Sequence, residues 1–353
     1  LNIQNSGRLS LASGENPLVA FVLYAFNEEK YIGPAIEAAF AQDYSPLEIV
    51  LSDDGSLDRT FEIMLDMKKT YRGPHKVILN RNPNNIGIGS QLTAAISKSE
   101  GEFLLLANGD DISCPERTRL TVEAWLASGK RVHAVYSDLE QIDEDGNSFG
   151  KKLKTRSCFE SLEEGVRKRF DGVLAASLGL TRVVFERFGP LPDNLILEDN
   201  PLYMRATLLG GCLHLEKPLV RYRVHPENIS QAYASAEFDL WVQNNRKRVI
   251  WHKKEGVKAY LQMLRDLYQV PADGWPIVDL KRAQWAGMEM LLENAILHDY
   301  YAADRAVRWR DRWTTLCRLS FVLIKVILKT AFPFVERKND RWHYRSVKRR
   351  RDK

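Results

Sequence analysis

The chain has 353 residues, 44% hydrophobic and 27% charged, which is ordinary globular composition and enough to bury a sizeable core in one large domain with an appendage or in two domains. Cysteines 114, 158, 212 and 317 are far apart and none is paired as CxxC, and no secretory signal precedes Pro17; structural zinc is excluded and a reducing cytoplasm is predicted. The net charge of +5 hides an asymmetry, because 301–353 holds sixteen Lys or Arg against five Asp or Glu and so leaves −6 on the first 300 residues.

Residues 1–16 read as a frayed lead-in, followed by an apolar run of strand length at 18–24. After Ala25-Phe26-Asn27 comes a helical pattern with Glu28, Glu29, Tyr31, Ile32, Ile36 and Phe40. A second strand at 47–52 ends in Asp53-Asp54-Gly55-Ser56, and Asp58 and Thr60 open a helix through Met67. A third strand at 76–79 leads through the turn-rich 80–85 into Gly87-Ile88-Gly89 and a helix over 92–96. Five apolar residues, 103–107, read as a buried strand that stops at Asn108-Gly109-Asp110-Asp111 before a helix opens near Pro115. Strands alternating with helices imply βαβ units, hence an α/β fold with a mostly parallel sheet and right-handed crossovers.

Further on, 132–138 reads as a strand whose Asp138 ends in solvent, with a tight turn at 143–147 into a hairpin partner. An amphipathic helix follows at 159–170. Leu202, Met204, Ala206, Leu208 and Leu209 mark a buried helix with Glu198-Asp199-Asn200 at its mouth and Pro201 in its first turn. Strands at 212–215 and 218–224 then deliver His225, with Arg221 and Arg223 on one face where they could meet phosphate. From 231 to 335 the chain carries six of its eight tryptophans in about four helical patterns broken at 270–276, and 336–353 is a basic tail. The stretch 321–335 is interrupted by Lys325 and Lys329 and falls short of the roughly 20 apolar residues a span needs. Its basic flanks, with Trp309 and Trp313 ahead of it, suit a helix lying on an anionic inner-membrane surface through 318–353, although a buried terminal helix with a solvated tail fits as well. Lys348 to Arg351 comes with no nucleic-acid-binding motif, so no nucleic-acid partner is expected, and the oligomeric state is not legible.

Two strand ends therefore carry acids, Asp53-Asp54 and Asp110-Asp111, on one edge of the sheet, where open α/β sheets place ligands. Adjacent carboxylates there can hold a divalent cation alongside substrate phosphates, or can merely form an Asx turn that starts the next helix. A dinucleotide-binding glycine fingerprint is missing after the first strand, Gly87-Ile88-Gly89 having Leu92 where a third glycine belongs, and no Walker A motif occurs.

Over 17–230 the ordered set Tyr24-Ala25-Phe26-Asn27-Glu28, Ser52 to Ser56 with Asp58 and Thr60, Asn85-Ile86-Gly87, Gly101-Glu102-Phe103, Asn108 to Pro115, Leu197-Glu198-Asp199 and Tyr222 to His225 resembles the GT-A-fold glycosyltransferases of family 2, an inverting group. The resemblance implies a nucleotide-diphosphate sugar as donor and Mg²⁺ or Mn²⁺ as cofactor. It implies that Tyr24 and Asn27 line the base and ribose site, that Asp54 meets the base beside Asp53, and that Asn108-Gly109-Asp110 stands for the family's DxD motif. Asp110 then binds metal with Asp111 beside it, His225 contacts metal or diphosphate, and Asp199 is the general base with Glu198 orienting it or the acceptor. The segment 173–180 is expected near the acceptor, a glycan or lipid-linked hydroxyl in polysaccharide or lipopolysaccharide synthesis. The sequence departs from the family at Asn108, where an Asp is commoner, and at Leu92-Thr93, where many relatives carry Arg-Asn. A sugar-nucleotide nucleotidyltransferase and a non-catalytic glycan-binding protein are the alternatives.

Overall fold

The computed structural model describes residues 16–153, 159, 161–193, 195–226, 228, 238–270 and 275–302. Strands β1 (Val19–Ala25), β2 (Leu47–Asp53), β3 (Lys76–Arg81) and β4 (Phe103–Asn108) lie parallel in the order β3-β2-β1-β4. Every residue of β1 and β2 is buried, because helices cover them; this is why these strands read as unbroken apolar runs instead of alternating ones. The cover comes from α1 (Ile32–Phe40), α2 (Thr60–Thr70), α3 (Ile88–Ile96) and α4 (Arg117–Ala127). Phe21, Leu23, Ile49, Leu51 and Leu105 pack with Ile32, Ile36, Met64, Val122 and Trp125 in one core cluster, each large side chain contributing about 1.5–3 kcal/mol by leaving water. The register places Tyr24 level with Ser52 and with Asn108. The motifs that follow these three strands thus leave the sheet at one edge.

The second half is mixed, which narrows the expectation of a mostly parallel sheet to its first four strands. Strands β5 (Ile112–Ser113), β6 (Ala134–Ile142), β7 (Ser148–Leu153), β8 (Leu178–Thr181) and β9 (Cys212–Arg223) extend the sheet as β4-β8-β6-β9-β5, with β7 on β6. Only β6 and β9 pair in parallel here. The two strands expected at 212–215 and 218–224 are one, since a register shift opposite Ser137 and Asp138 absorbs Glu216 and Lys217 as an irregularity. Helix α5 (Leu162–Arg167) is shorter than the pattern at 159–170 suggested, because Arg169 and Phe170 adopt φ of 56° and 50° and end it. Helices α6 (Val183–Phe188) and α7 (Asp199–Leu209) follow; the residue before α7 is Glu198.

Two long helices, α8 (Phe238–Gln269) and α9 (Ile277–Ala302), come last, and the boundary between two compact units falls inside both. The first unit takes the chain up to Ala234 together with Lys258–Gly287. Within it, Arg205 of α7 and Asp266 of α8 form a fully buried ion pair at 2.8 and 3.1 Å, and Gln262 adds a hydrogen bond to Asp266 at 2.8 Å. Trp275 donates its indole N–H to the Leu208 carbonyl at 2.9 Å and so satisfies an orphan acceptor in the last turn of α7. The second unit comprises Ser235–Val257 and the chain from Met288 on, where the rings of Trp251 and His252 meet edge to face at 4.9 Å. The segments 318–335 and 336–353 lie outside the described residues, among which no helix is long and apolar enough to cross a membrane.

Candidate active site

The loop after β1 is stapled to the loop after β2 by their own polar side chains. Asn27, in a left-handed conformation that Asn tolerates, donates its N–H to Ser56 Oγ at 2.8 Å and accepts from the Leu57 N–H at 2.9 Å. Glu28 N–H donates to Thr60 Oγ1 at 2.7 Å and Glu29 N–H to Asp58 at 3.0 Å. Between the loops opens a groove of about 880 Å³ lined by Phe26, Asn27, Glu28, Tyr31, Leu57 and Arg59 among others. Asp53 and Asp54 are not on its surface. Asp53 accepts from the Ser56 N–H at 3.2 Å and pairs with Arg81 at 3.4 Å, while Asp54 accepts from Asn82 at 2.8 Å and from the Gly87 and Ile86 N–H groups at 3.0 and 3.1 Å. These fully buried acids tie the 53–56 turn to the 82–87 loop, which approaches so closely that a Cβ on Gly55 (φ 72°) would sit 2.7 Å from the Asn84 backbone.

At the end of β4 the chain turns against β1. A Cβ on Gly109 would meet that of Ala25 at 2.6 Å, so only glycine lets the turn close and Asp110 reach its place. There Asp110 Oδ2 accepts from Asn228 Nδ2 at 3.0 Å and lies 3.2 Å from His225 Nε2. Glu28 completes the group, the ligand atoms of Glu28, Asp110 and His225 all lying within 4.8 Å of one another. The His225 ring rests on Tyr31 at 4.5 Å, and its backbone N–H donates to Asn228 Oδ1 at 2.6 Å, while its Nδ1 is buried without a hydrogen-bond partner among the described residues.

Asp111 does not join them. It is 4% exposed, accepts from the Arg223 N–H at 2.9 Å and from Asn108 Nδ2 at 3.3 Å, and faces inward near the buried Arg117. Burial, and then the charge of Asp110, push its carboxyl well above the usual range. The placement of Asp111 as a ligand beside Asp110 is therefore corrected: it anchors the turn to β9. Arg223 is likewise no phosphate contact, because its guanidinium donates to the carbonyls of Asp110, Asp143 and Glu144 at 2.9, 3.1 and 2.6 Å, and Arg221 donates to that of Gly146 at 2.5 Å. Both arginines hold the β6–β7 turn against the Asp110 loop. Asp138, expected in solvent, is buried and takes a hydrogen bond from His214 Nε2 at 2.8 Å.

Tyr24 links this cluster to the mouth of α7. Its hydroxyl is 3.5 Å from Glu198 Oε1, and burial followed by the charges of Glu198, Asp199, Asp111 and Asp110 raises its pKa well above 10.0. Along the sheet, Tyr24 lies level with Asn108, two residues before Asp110, while its hydroxyl meets Glu198 at the mouth of α7. Glu198 is 6% exposed, and burial with its neighbour Asp199 holds its proton far above the ordinary carboxyl range. Asp199 is pushed up to about 7 by burial and then by Asp171, against the Asn200 N–H that it accepts at 2.9 Å. Tyr24 was expected at the base and ribose; its hydroxyl instead points to the acids of α7. Glu28 and Asn228 were missed, although Glu28 stood in the Asn27-Glu28-Glu29 run and Asn228 sits three residues after His225, a spacing suited to a side-chain-closed turn.

A parallel half that ends in acids, continued by a mixed half that brings a helix mouth of two carboxylates to the same edge, defines a glycosyltransferase of the GT-A fold. Residues 20–175 match the family model Glycosyl transferase family 2. An uncharacterized glycosyltransferase of Nostoc sp. is 26% identical over 226 residues, 62% of this chain and 68% of its own length. The chondroitin synthase of Escherichia coli is 26% identical over 247 residues, 69% of this chain but only 34% of that longer protein. Among solved structures, a mannosyltransferase from Pyrobaculum calidifontis in complex with GDP-Man and Mn²⁺ shares the fold at a TM-score of 0.52, with 18% identity, 90% of this chain and 88% of that chain covered. Residues 20–175 are thus similar in sequence to the family 2 glycosyltransferases, and the chain shares the GT-A fold with them.

Proposed function

We propose that this glycosyltransferase moves a sugar from a nucleotide-diphosphate donor to a hydroxyl of a glycan or lipid-linked acceptor, with inversion, in cell-surface polysaccharide or lipopolysaccharide synthesis. The observation that carries the reading is the grouping of Glu28, Asp110 and His225 within 4.8 Å of one another after β4, together with Tyr24, which is level with Asn108 on the neighbouring strand and meets Glu198 at 3.5 Å. Two carboxylates and an imidazole, one ring nitrogen of which is buried and unpaired, suit Mg²⁺ or Mn²⁺. Asp110, His225 and Glu28 would hold such a cation, which would supply positive charge to offset the negative charge gained by the leaving diphosphate. The 880 Å³ groove beside Glu28, with Asn27, Phe26 and Leu57 on its walls, takes the nucleoside. Asn108, at the end of β4, is assigned to a ribose hydroxyl by its position in the DxD-like motif.

Asp199 removes the acceptor's proton as the new oxygen–carbon bond forms and the bond to the diphosphate breaks, and a carboxyl that titrates at about 7 suits that task at neutral pH. Glu198, whose carboxyl burial and Asp199 push upward, orients the acceptor or Asp199. The basic stretch 318–353 is proposed, from its sequence, as a contact to an anionic membrane surface. Nucleotide sugars assayed with and without Mn²⁺ test the reading: at least one should be hydrolysed or transferred in a Mn²⁺- or Mg²⁺-dependent way, and Asp110→Ala should weaken that nucleotide's binding. A chain that binds no sugar nucleotide under either condition would refute it.

A further inference from the structure

The end of α5 is built in a way that the chemistry above does not use. Arg169 and Phe170 are consecutive residues with left-handed backbone, a conformation that L side chains rarely adopt and that something must hold in place. Packing explains Phe170. Its ring is 1% exposed and lies 5.8 Å from that of Tyr203, and Gly165 makes room for it, since a Cβ there would come within 2.6 Å of the ring. Tyr203 sits four residues after Asp199, one turn along α7, so the turn that carries Arg169 rests against the helix of the base.

The Arg169 backbone is held by the helix end itself, its N–H donating to the Val166 carbonyl at 2.9 Å and that of Phe170 to the Gly165 carbonyl at 2.7 Å, so neither bond uses the Arg169 side chain. That side chain is 17% exposed, its Nη2 reaches Asp171 Oδ2 at 2.9 Å, and its Nε is buried with no hydrogen-bond partner among the described residues. Asp171 is 64% exposed, and an ion pair at such a surface is weak and exchangeable. The Nε and Nη2 of an arginine form the edge that grips two oxygens of one anion; here a readily replaced carboxylate occupies Nη2, and Nε is closed off from solvent with no acceptor among the described residues. The geometric link to the base is the Phe170–Tyr203 contact, one turn of α7 from Asp199; in keeping with it, Arg169 lowers the Asp199 carboxyl that burial and Asp171 raise.

From this geometry we propose that Arg169 binds an anionic group of the acceptor, a carboxylate or a phosphate, close to the hydroxyl that Asp199 deprotonates. The proposal rests on the reading of Asp199 as the base and adds the class of acceptor to it. When the anion arrives, Asp171 returns to water and the anion's second oxygen satisfies Nε. The acceptor is then an acidic sugar or a phosphate-bearing lipid or glycan, and neutral glycans are poor acceptors.

The test is binding of three probes to the full chain by calorimetry: p-nitrophenyl glucoside, the corresponding glucuronide and the glucoside 6-phosphate. The two anionic probes should bind about tenfold or more tighter than the neutral one, a difference of about 1.4 kcal/mol, and the stronger of the two tells an acidic sugar from a phosphate. Arg169→Gln should bring all three within about twofold, Arg169→Lys should keep part of the preference, and Asp171→Asn should strengthen both anionic probes by removing their competitor. Melting temperature checks that each variant folds. Equal or absent binding of the three probes by the wild type, or a preference that survives in Arg169→Gln, would overturn the proposal. Wild-type binding of nucleotide sugars, measured separately, decides the transferase reading whatever the probes do.

Discussion

At the scale of single residues, the site sorts into acids that face ligand space and acids that face the protein. Asp199 belongs to the first kind, and its proton affinity fixes a pH dependence. Because the base must be ionised, the transfer rate should climb with pH through about 7 and level off above it. Asp199→Asn should reduce transfer by about 10²–10⁴-fold and leave nucleotide binding intact. The same raised pKa acts on stability with a definite sign. Between the ordinary value of 3.8 and about 7, the unfolded chain has released a proton that the folded chain retains, so this group's contribution declines as pH rises through that window. Asp199→Asn should therefore melt higher than wild type at pH 8 and much the same at pH 4. For the cation group, Glu28→Gln should weaken Mn²⁺-dependent nucleotide binding by about 10–100-fold, whereas Asp111→Asn should lower the melting temperature and shift Mn²⁺ affinity by less than about threefold. Equal Mn²⁺ affinity in wild type and Glu28→Gln would remove Glu28 from the site. Asp110, Asp199 and His225 could be singled out in the sequence because each sits at the end of a strongly patterned element; their roles remain those proposed above. Glu28 was not singled out because its partners are far along the chain from it, and only the closure of the β1 and β9 ends brings them together.

At the scale of elements, the carboxylates proposed for catalysis, Glu198 and Asp199, are held at the start of α7, and α7 is held by α8. Arg205 and Asp266 are fully buried, and burial raises the Asp266 carboxyl while Arg205 pulls it back. Removing one partner strands the other charge, so Asp266→Ala should cost about 3–5 kcal/mol in chemical denaturation. Replacing both residues by apolar ones of similar size should recover most of that loss. The turn after β4 obeys steric logic instead. Gly109→Ala should cost about 1–3 kcal/mol by forcing β4 and β1 apart, and should weaken metal-dependent nucleotide binding along with stability because Asp110 moves with the turn. The parallel strands and their helices were readable from the sequence to within a few residues, since full burial writes continuous apolar runs between polar turns. The length of α5 was not, because nothing in the side-chain pattern at 159–170 announces that Arg169 and Phe170 leave helical backbone.

For the whole molecule, the first compact unit is assembled from two stretches of chain, and Lys258–Gly287 supplies Asp266 and Trp275 to the helix of the base. A fragment that stops at residue 230 should accordingly melt well below one that continues through 287. Saturating nucleotide sugar should raise the melting temperature of the full chain, the stabilisation amounting to about 2.7 kcal/mol at a hundred times the dissociation constant. The sequence by itself determined the order of strands and helices in the first half, the polar strand ends and the family, because these depend on the local period of apolar residues and on motifs a few residues long. Only the tertiary structure decided which acids turn inward, that Arg223 clamps a loop and that Glu28 meets His225. Those outcomes depend on how strand ends far apart in the chain fall into register, and a carboxylate is the same letter whether its oxygens meet a buried N–H or an open cleft.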